Sequence, residues 1–167
     1  MQKFKTLSDV IALAEFAHRN QTDKAGLPYI EHPRRVLQAV QTQGALPYVQ
    51  MAAILHDVTE DTAFSCDMLL DLGVPEAAVN IVALVDRDAS EAVWARHAAR
   101  HRAYTGQLFD TTKDGFYYAE IKKNPGAVQV KLADIGDNLQ PWRLSYLPAE
   151  TQVRLQDKYA KALDLLS

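Results

Sequence analysis

One histidine and three carboxylates directly follow the most core-like apolar run of the chain. Residues 52–55 read Ala-Ala-Ile-Leu, and His56, Asp57, Glu60 and Asp61 come next. If these positions are helical, residues three and four apart share one face, which makes an acidic patch that contains an imidazole. Unpaired carboxylates at the end of a core helix repel one another and resist burial. A divalent cation would resolve that conflict, and imidazole together with carboxylate suits a first-row metal.

Two further residues of metal-ligand type lie elsewhere in the chain. His32 lies in YIEHP, at the end of a stretch that contains glycine and proline, and Asp134 lies in VKLADIGDN, far along an apolar helical pattern. Asn138 follows Asp134 by four residues and shares its helix face. With His56 and Asp57, these residues supply two nitrogen and two oxygen ligands, which leaves room for water.

Each of these residues also has an ordinary structural interpretation. His32 could pack on Pro33, and Asp134 could be a buried acid that pairs with Lys131. Glu60 and Asp61 could form a solvated helix end. Because four residues of metal-ligand type coincide at the ends of core helices, we favour a metal site over these separate interpretations.

The elements that must position these residues are helices. The apolar residues recur with helical spacing over most of the chain, and Gly and Pro separate the periodic segments. Valines in AVQVKL, residues 127–132, favour a strand, but a single strand would have no partner, so we predict a helix there too. We predict an all-α fold of about eight to ten helices, with residues 1–167 forming a single domain.

Composition and charge exclude several classes of function. The chain has 167 residues, of which 48% are hydrophobic and 23% charged, and its net charge is −3. That balance does not support broad electrostatic binding to nucleic acid or to an anionic membrane. The single cysteine, Cys66, forms no internal disulfide, and the first residues lack the features of a signal peptide. We therefore expect a cytoplasmic protein without a nucleic-acid or membrane partner.

Residues 94–104, WARHAARHRAY, carry their own pattern. His97 and His101 lie four apart among three arginines, which could bind a second metal or approach a substrate phosphate. A basic, solvated helix face is the interpretation we favour. Five aromatic residues could stack on a base, but we expect them to pack in the core; these are Trp94, Phe116, Tyr117, Tyr118 and Trp142.

The order of these motifs resembles the HD superfamily of metal-dependent phosphohydrolases. The upstream His32, the His-Asp pair at 56–57 and the downstream Asp134 carry the likeness. Residues 17–33, 52–62 and 129–139 are similar to the hydrolase domain of the RelA/SpoT alarmone enzymes and to the small Mesh-type (p)ppGpp hydrolases. The hydrolase pattern fills the chain, so we expect no synthetase domain within it.

This resemblance implies an activity and a set of site residues. It implies removal of pyrophosphate from the 3′ position of (p)ppGpp by water. It also implies a manganese ion, or another divalent first-row metal, with a base that activates the water. The implied metal ligands are His32, His56, Asp57 and Asp134; Glu60 would be the general base with Asp61 assisting; Lys24 and Asn138 would bind the nucleotide.

Two departures from the family pattern bear on the substrate. Asp23 stands before Lys24 where two adjacent basic residues are common, and Gln140 and Pro141 stand where a basic residue and a hydroxyl are common. The first alternative is therefore an HD nucleotidase or nucleoside triphosphate hydrolase with another substrate. The second is a non-catalytic, nucleotide-binding regulatory module, although no ligand or acid of the pattern is missing.

Overall fold

The computed structural model describes residues 6–24 and 26–167, and helices dominate it. Within these residues the only β pairing is one isolated bridge between Thr22 and Pro28, so the expected all-α fold is confirmed. No helix in the described part of the chain is both long and apolar enough to span a bilayer. The helical segments are α1 Leu7–His18, α2 Glu31–Thr42, α3 Pro47–Leu55, α4 Val58–Asp61, α5 Cys66–Asp71, α6 Glu76–Val85, α7 Arg87–Thr105, α8 Lys113–Lys122, α9 Pro125–Asn138, α10 Pro141–Leu144 and α11 Ala149–Leu166.

Helix α3 lies at the centre of the fold. It is buried along most of its length and packs against α1, α2, α6 and α9. Its apolar residues contact one another and their neighbours in a continuous core, and removal of this surface from water is the main force that stabilises such a domain. The residues that follow α3 are therefore held at a well-defined place.

The helix that we expected to run through residues 56–61 is interrupted. α3 ends at Leu55, and α4 begins only at Val58. Between them Asp57 has φ −100° and ψ −2°, a bridge-region conformation that is frequent in active-site residues. The Asp61 N–H still donates to the Asp57 carbonyl, at 2.9 Å. The break changes the direction of the chain just where the candidate ligands lie.

Helix α9 forms over the valines that could have favoured a strand. The Asn124 side chain accepts hydrogen bonds from the Gly126 and Ala127 N–H groups, at 2.9 and 3.2 Å, and Pro125 occupies the first helical position. Both features are typical helix N-terminal signals. The apolar face that includes Val130 is buried, and α9 packs on α2, α3, α6 and α8. This packing carries Asp134 to the middle of the molecule.

Helix α7 is different from the others because it buries none of its residues. Arg96, Arg100 and Arg102 are exposed, which agrees with the solvated basic face that we favoured from the sequence. The two histidines of this segment contact aromatic rings: His97 lies 5.6 Å from the ring centroid of Phe116, and His101 lies 5.6 Å from that of Phe109.

The close packing of α9 on its neighbours predicts an asymmetric response to alanine. A Cβ atom at Gly126 would lie 2.7 Å from Ile81 Cδ1 and 2.9 Å from Val49 Cγ2. Gly126→Ala should therefore lower the free energy of unfolding by about 1–3 kcal/mol through overpacking. The measurement is urea denaturation followed by circular dichroism.

A matched control lies on the same helix. A Cβ at Gly136 would meet no atom within 4 Å. Gly136→Ala should leave stability unchanged or raise it by up to about 1 kcal/mol, because alanine favours the helix. Equal effects of the two substitutions would contradict the packing that we describe.

Candidate functional site

The four predicted metal ligands come together from three parts of the fold. His32 lies in the first turn of α2, His56 and Asp57 lie in the break after α3, and Asp134 lies on α9. His32, His56 and Asp57 each offer one ligand atom, and these atoms all lie within 4.8 Å of one another. His32 Nε2 lies 3.3 Å and His56 Nε2 3.9 Å from Asp134 Oδ1. Asp57 Oδ2 lies 3.0 Å from His56 Nε2 and 3.6 Å from His32 Nε2.

Both imidazoles turn Nε2 towards the carboxylates of Asp57 and Asp134. His56 Nδ1 lies 2.8 Å from the Ala53 carbonyl, and His32 Nδ1 lies 2.7 Å from Asp137 Oδ2. The Ala53 carbonyl can only accept, so the proton of neutral His56 is on Nδ1 and its lone pair on Nε2. The Asp137 carboxylate favours the same tautomer of His32, while Arg143 also lies 2.9 Å from that Nδ1. The Nε2 atom of His56 is buried and has no hydrogen-bond partner. A buried Nε2 with a free lone pair, beside two carboxylates, fits a metal ligand.

The electrostatics of the cluster also suit a cation. Burial disfavours the charged form of His56, but the carboxylates of Asp57 and Asp134 outweigh it and raise the pKa of His56 to about 9. Burial likewise opposes ionisation of Asp57 and Asp134, yet the neighbouring cations hold the pKa of both carboxyls below the usual range. The cluster therefore concentrates negative charge, which would stabilise a divalent ion in the same place.

Glu60 and Asp61 lie beside this cluster at the wall of a cavity. Desolvation and the charge of Asp57 raise the pKa of both carboxyls. A carboxylate with a raised pKa is a better proton acceptor near neutral pH. Glu60 Oε2 also accepts a hydrogen bond from the Arg87 N–H, at 2.8 Å. The first turn of α7 thus orients the residue that the sequence suggested as general base.

The cavity has a volume of about 560 Å³, and the candidate metal ligands other than His56 line it. Both predicted nucleotide-binding residues, Lys24 and Asn138, also line it. Four further cationic side chains lie in its wall: Arg87, Lys131, Arg143 and Lys158. A cavity of this size with several cations around it suits a phosphorylated small molecule.

The aromatic residues divide differently from our expectation. Tyr117 and Tyr118 are buried, but both also line the cavity. Trp142 is not a core residue: 41% of its surface is exposed at the cavity, beside Tyr146, which is 62% exposed. Pro141 begins α10 just before Trp142, and the Arg35 guanidinium lies 5.0 Å from the Trp142 ring centroid. These neighbours hold the indole at the surface instead of in the core.

The Arg- and His-rich segment does not take part in this site. Among the residues that the structure describes, none of residues 94–104 lines the cavity. Across the whole described part of the chain, the one cluster of metal-ligand type is that of His32, His56 and Asp57. The geometry therefore favours neither a second metal nor a substrate contact for this segment.

Comparison with known proteins finds relatives of this chain, although no family model matches it. A GTP pyrophosphokinase of Streptomyces coelicolor is 32% identical over 142 residues, which are 84% of this chain but 15% of the relative. The bifunctional (p)ppGpp synthase/hydrolase SpoT of Escherichia coli is 43% identical over 61 residues, 36% of this chain and 8% of the relative. The MESH1 pyrophosphohydrolase of Danio rerio is 40% identical over 60 residues, 34% of this chain and 33% of the relative.

A solved structure extends the likeness to nearly the whole chain. It is a metazoan ortholog of SpoT, described as hydrolysing ppGpp, and it aligns with a TM-score of 0.71 at 25% identity. The alignment covers 96% of this chain and 84% of that one. The chain therefore shares its fold with this SpoT ortholog and is similar in sequence to parts of SpoT and MESH1. The chain spans only about 15% of the length of the first curated relatives that it matches.

Asp137 contacts the candidate site, and the sequence analysis missed it. Its Oδ2 accepts from His32 Nδ1, and its two oxygens accept from Arg35 Nε and a terminal nitrogen, at 2.6 and 3.1 Å. Arg143 donates to the same carboxylate. The signal was present, because Asp137 follows Asp134 by three residues and so lies near it on one helix face. Asp137 therefore orients His32 from behind.

The two carboxylates of the cluster also accept hydrogen bonds from residues around them. Tyr29 was missed as well, and its hydroxyl donates to Asp57 Oδ2 at 2.7 Å. Lys131 does pair with Asp134, as the ordinary interpretation supposed, at 2.8 Å through Oδ2. The Oδ1 atom of Asp134 faces the histidines and accepts from Asn138 at 2.6 Å. The ion pair and a ligand role for Asp134 are thus compatible.

The Asp137 contacts predict an effect on metal affinity without a change of ligand. Asp137→Asn should weaken binding of Mn²⁺ by about 10–100-fold, because His32 loses the carboxylate that orients it. The measurement is calorimetric titration of chelator-treated protein with Mn²⁺, with circular dichroism to verify folding. Asp71→Asn, the same change at an exposed position, is the control. Equal affinities in the two variants would contradict the orienting role.

Proposed function

We propose that this chain is a metal-dependent phosphohydrolase that removes pyrophosphate from the 3′ position of (p)ppGpp. The observation that carries the proposal is the convergence of two imidazole Nε2 atoms and two carboxylates beside a cavity with several cations. The names of SpoT and MESH1 support the substrate. We further propose that residues 1–167 are one HD domain acting in the cytoplasm on a small nucleotide.

The metal ion in this proposal is Mn²⁺, held by His32, His56, Asp57 and Asp134. Such an ion supplies two effects when it is bound: it lowers the pKa of water and polarises a phosphoryl oxygen. The donor set of two nitrogens and two oxygens suits Mn²⁺ and other first-row ions alike. Asp137 and Tyr29 hold the ligands in position by their hydrogen bonds to His32 and Asp57.

The carboxylates at the cavity wall provide the base. In this proposal Glu60 takes the proton from the attacking water, and its raised pKa favours that step. Asp61 assists it from the next position. The hydrogen bond from the Arg87 N–H to one Glu60 oxygen leaves the other oxygen to accept the proton.

The cavity wall provides recognition of the nucleotide. Lys24 and Arg143 carry positive charge for phosphate oxygens, and Asn138 offers an amide. Trp142 and Tyr146 present exposed rings to the same cavity, where they can stack on a nucleobase. A substrate with both a base and phosphates matches this combination of groups.

A second candidate is an HD phosphohydrolase for another nucleotide, such as a nucleotidase or a nucleoside triphosphate hydrolase. The departures at Asp23 and at Gln140 and Pro141 favour it, because Asp23 itself lines the cavity. A non-catalytic regulatory module is the weakest alternative, since every ligand and acid of the pattern is present. The deciding assay offers ppGpp, GTP, dATP and a nucleoside monophosphate to Mn²⁺-loaded protein.

Each outcome of this assay selects one function. Pyrophosphate and GDP from ppGpp alone support the alarmone hydrolase. Turnover of another nucleotide with ppGpp left intact supports the second candidate. No turnover of any of them, together with failure to bind Mn²⁺, supports the regulatory module.

The roles of ligand and base predict two different losses. Asp57→Ala should abolish both Mn²⁺ binding and activity, because it removes a ligand. Glu60→Gln should keep Mn²⁺ and lose rate by about 10²–10⁴-fold, as expected for a general base. The measurements are steady-state kinetics and metal content of the purified variants. Full rate in Glu60→Gln would refute the assignment of the base, and retained metal in Asp57→Ala would refute the ligand set.

The exposed ring of Trp142 predicts a change in substrate affinity. Trp142→Ala should raise KM by about tenfold with little change in kcat, because stacking of a base on an aromatic ring is lost. Trp94→Ala is the matched control, since the Trp94 indole bonds the Thr111 carbonyl at 2.7 Å on the α7 side. A similar KM in both variants would rule out a role for Trp142 in base binding.

A further inference from the structure

A second groove adjoins the cavity and shares part of its wall. It lies along α8 and α11 and has a volume of about 750 Å³. Three residues line both the cavity and the groove: Arg87, Tyr118 and Lys158. The boundary between the two spaces is therefore cationic, and it lies in a part of the chain that the sequence motifs did not include.

One buried ring fixes two cations near this boundary. Tyr117 is 2% exposed, and its hydroxyl donates to the Val85 carbonyl at 2.6 Å. The Arg87 guanidinium lies 4.7 Å and the Lys131 ammonium 5.6 Å from the centroid of its ring. Lys131 also bonds Asp134. A chain of contacts thus runs from the candidate metal ligands through Lys131 and Tyr117 to Arg87.

Lys158 adds a third cation from α11. Its ammonium lies 5.4 Å from the Tyr159 ring centroid. Burial and the charges of Lys131 and Arg87 lower the pKa of Lys158, although Asp134 and Glu60 oppose that effect. These like charges repel one another, and a bound anion would relieve the repulsion.

The acidic partners of these cations differ in how easily a bound phosphate could replace them. Arg87 pairs with Asp114 and lies 3.5 Å from Glu91, and both acids are exposed, Asp114 by 60%. Exposed ion pairs contribute little to stability, so a phosphate could replace Asp114 at low cost. Lys131, by contrast, is committed to the buried Asp134. Of the three cations at this boundary, Arg87 and Lys158 are therefore the ones available to an anionic ligand.

We propose that Arg87 and Lys158 form a distal phosphate subsite that binds the 5′ diphosphate of the nucleotide while its 3′ diphosphate lies at the histidine and aspartate cluster. The inference rests on the proposed function. A ribose that carries a diphosphate on each side needs two separate regions of positive charge, and the cavity has a second one at its boundary with the groove. The subsite selects for the length of the 5′ phosphate chain.

Product binding tests the subsite without turnover. GDP retains the 5′ diphosphate, and GMP lacks its outer phosphate, so the ratio of their dissociation constants reports on the subsite alone. Calorimetric titration of Mn²⁺-loaded protein should show tighter binding of GDP than of GMP. Lys158→Met should reduce this ratio by about tenfold, as expected for loss of one charge-assisted contact. Lys122→Met, at an exposed position of α8 that borders neither space, should leave the ratio unchanged.

A second variant should change GDP binding in the opposite direction. Asp114→Asn frees Arg87 from its partner and should strengthen GDP binding without a comparable gain for GMP. Equal affinity of the wild-type protein for GDP and GMP, or an unchanged ratio in Lys158→Met, would overturn the subsite.

The kinetic assay separates this inference from the proposed function. If the wild-type protein hydrolyses ppGpp but Lys158→Met leaves the ratio of the GDP and GMP dissociation constants unchanged, the subsite alone is refuted. If the wild-type protein leaves ppGpp intact but the ratio falls in Lys158→Met, the proposed reaction is refuted and the phosphate subsite is supported.

Discussion

Two carboxylates held close together inside the fold, one just after α3 and one on α9, are the constraint on which the rest of this structure depends. Asp134 is buried and Asp57 is largely so, and a carboxylate removed from water is tolerated only among cations and hydrogen-bond donors. The fold supplies these from several directions. Lys131, Asn138 and Tyr29 each donate to one oxygen, and the two imidazoles face Asp57 Oδ2 and Asp134 Oδ1 on one edge of the pair. That edge is the side on which a divalent cation would be most stabilised.

The supporting contacts explain why the helices meet where they do. Asp137 connects three helices, because it receives hydrogen bonds from His32 and Arg35 on α2 and from Arg143 on α10 while it belongs to α9. Removal of any one partner would leave the buried carboxylate with less compensation for its charge, which costs more than an average hydrogen bond. The same Arg35 also lies against Trp142, so the orientation of a candidate ligand and the shape of the cavity rim are connected.

The departures from the family pattern have structural roles. The Asp23 carboxylate accepts from the Leu27 N–H at 3.0 Å, which closes the loop that presents Lys24. Pro141 begins α10, and that short helix carries Trp142 to the cavity and Arg143 to Asp137. Charge lost next to Lys24 is thus accompanied by an aromatic rim and by cations on α7 and α11. These groups line the same cavity as the candidate ligands His32, Asp57 and Asp134.

The sequence by itself determined the helical fold and the main members of the cluster. Helical spacing, N-terminal signals such as Asn124 and Pro125, and the order of His32, His56, Asp57 and Asp134 are local features, and they can be recognised without coordinates. The break at Asp57 could not be predicted, because the residues on both sides favour a continuous helix and only packing against the core decides the turn. The roles of Asp137, Tyr29, Arg87 and Trp142 depend on partners up to 105 positions away or on the shape of a cavity. Only the tertiary structure decides such contacts, because side chains distant in sequence become neighbours through the packing of whole helices.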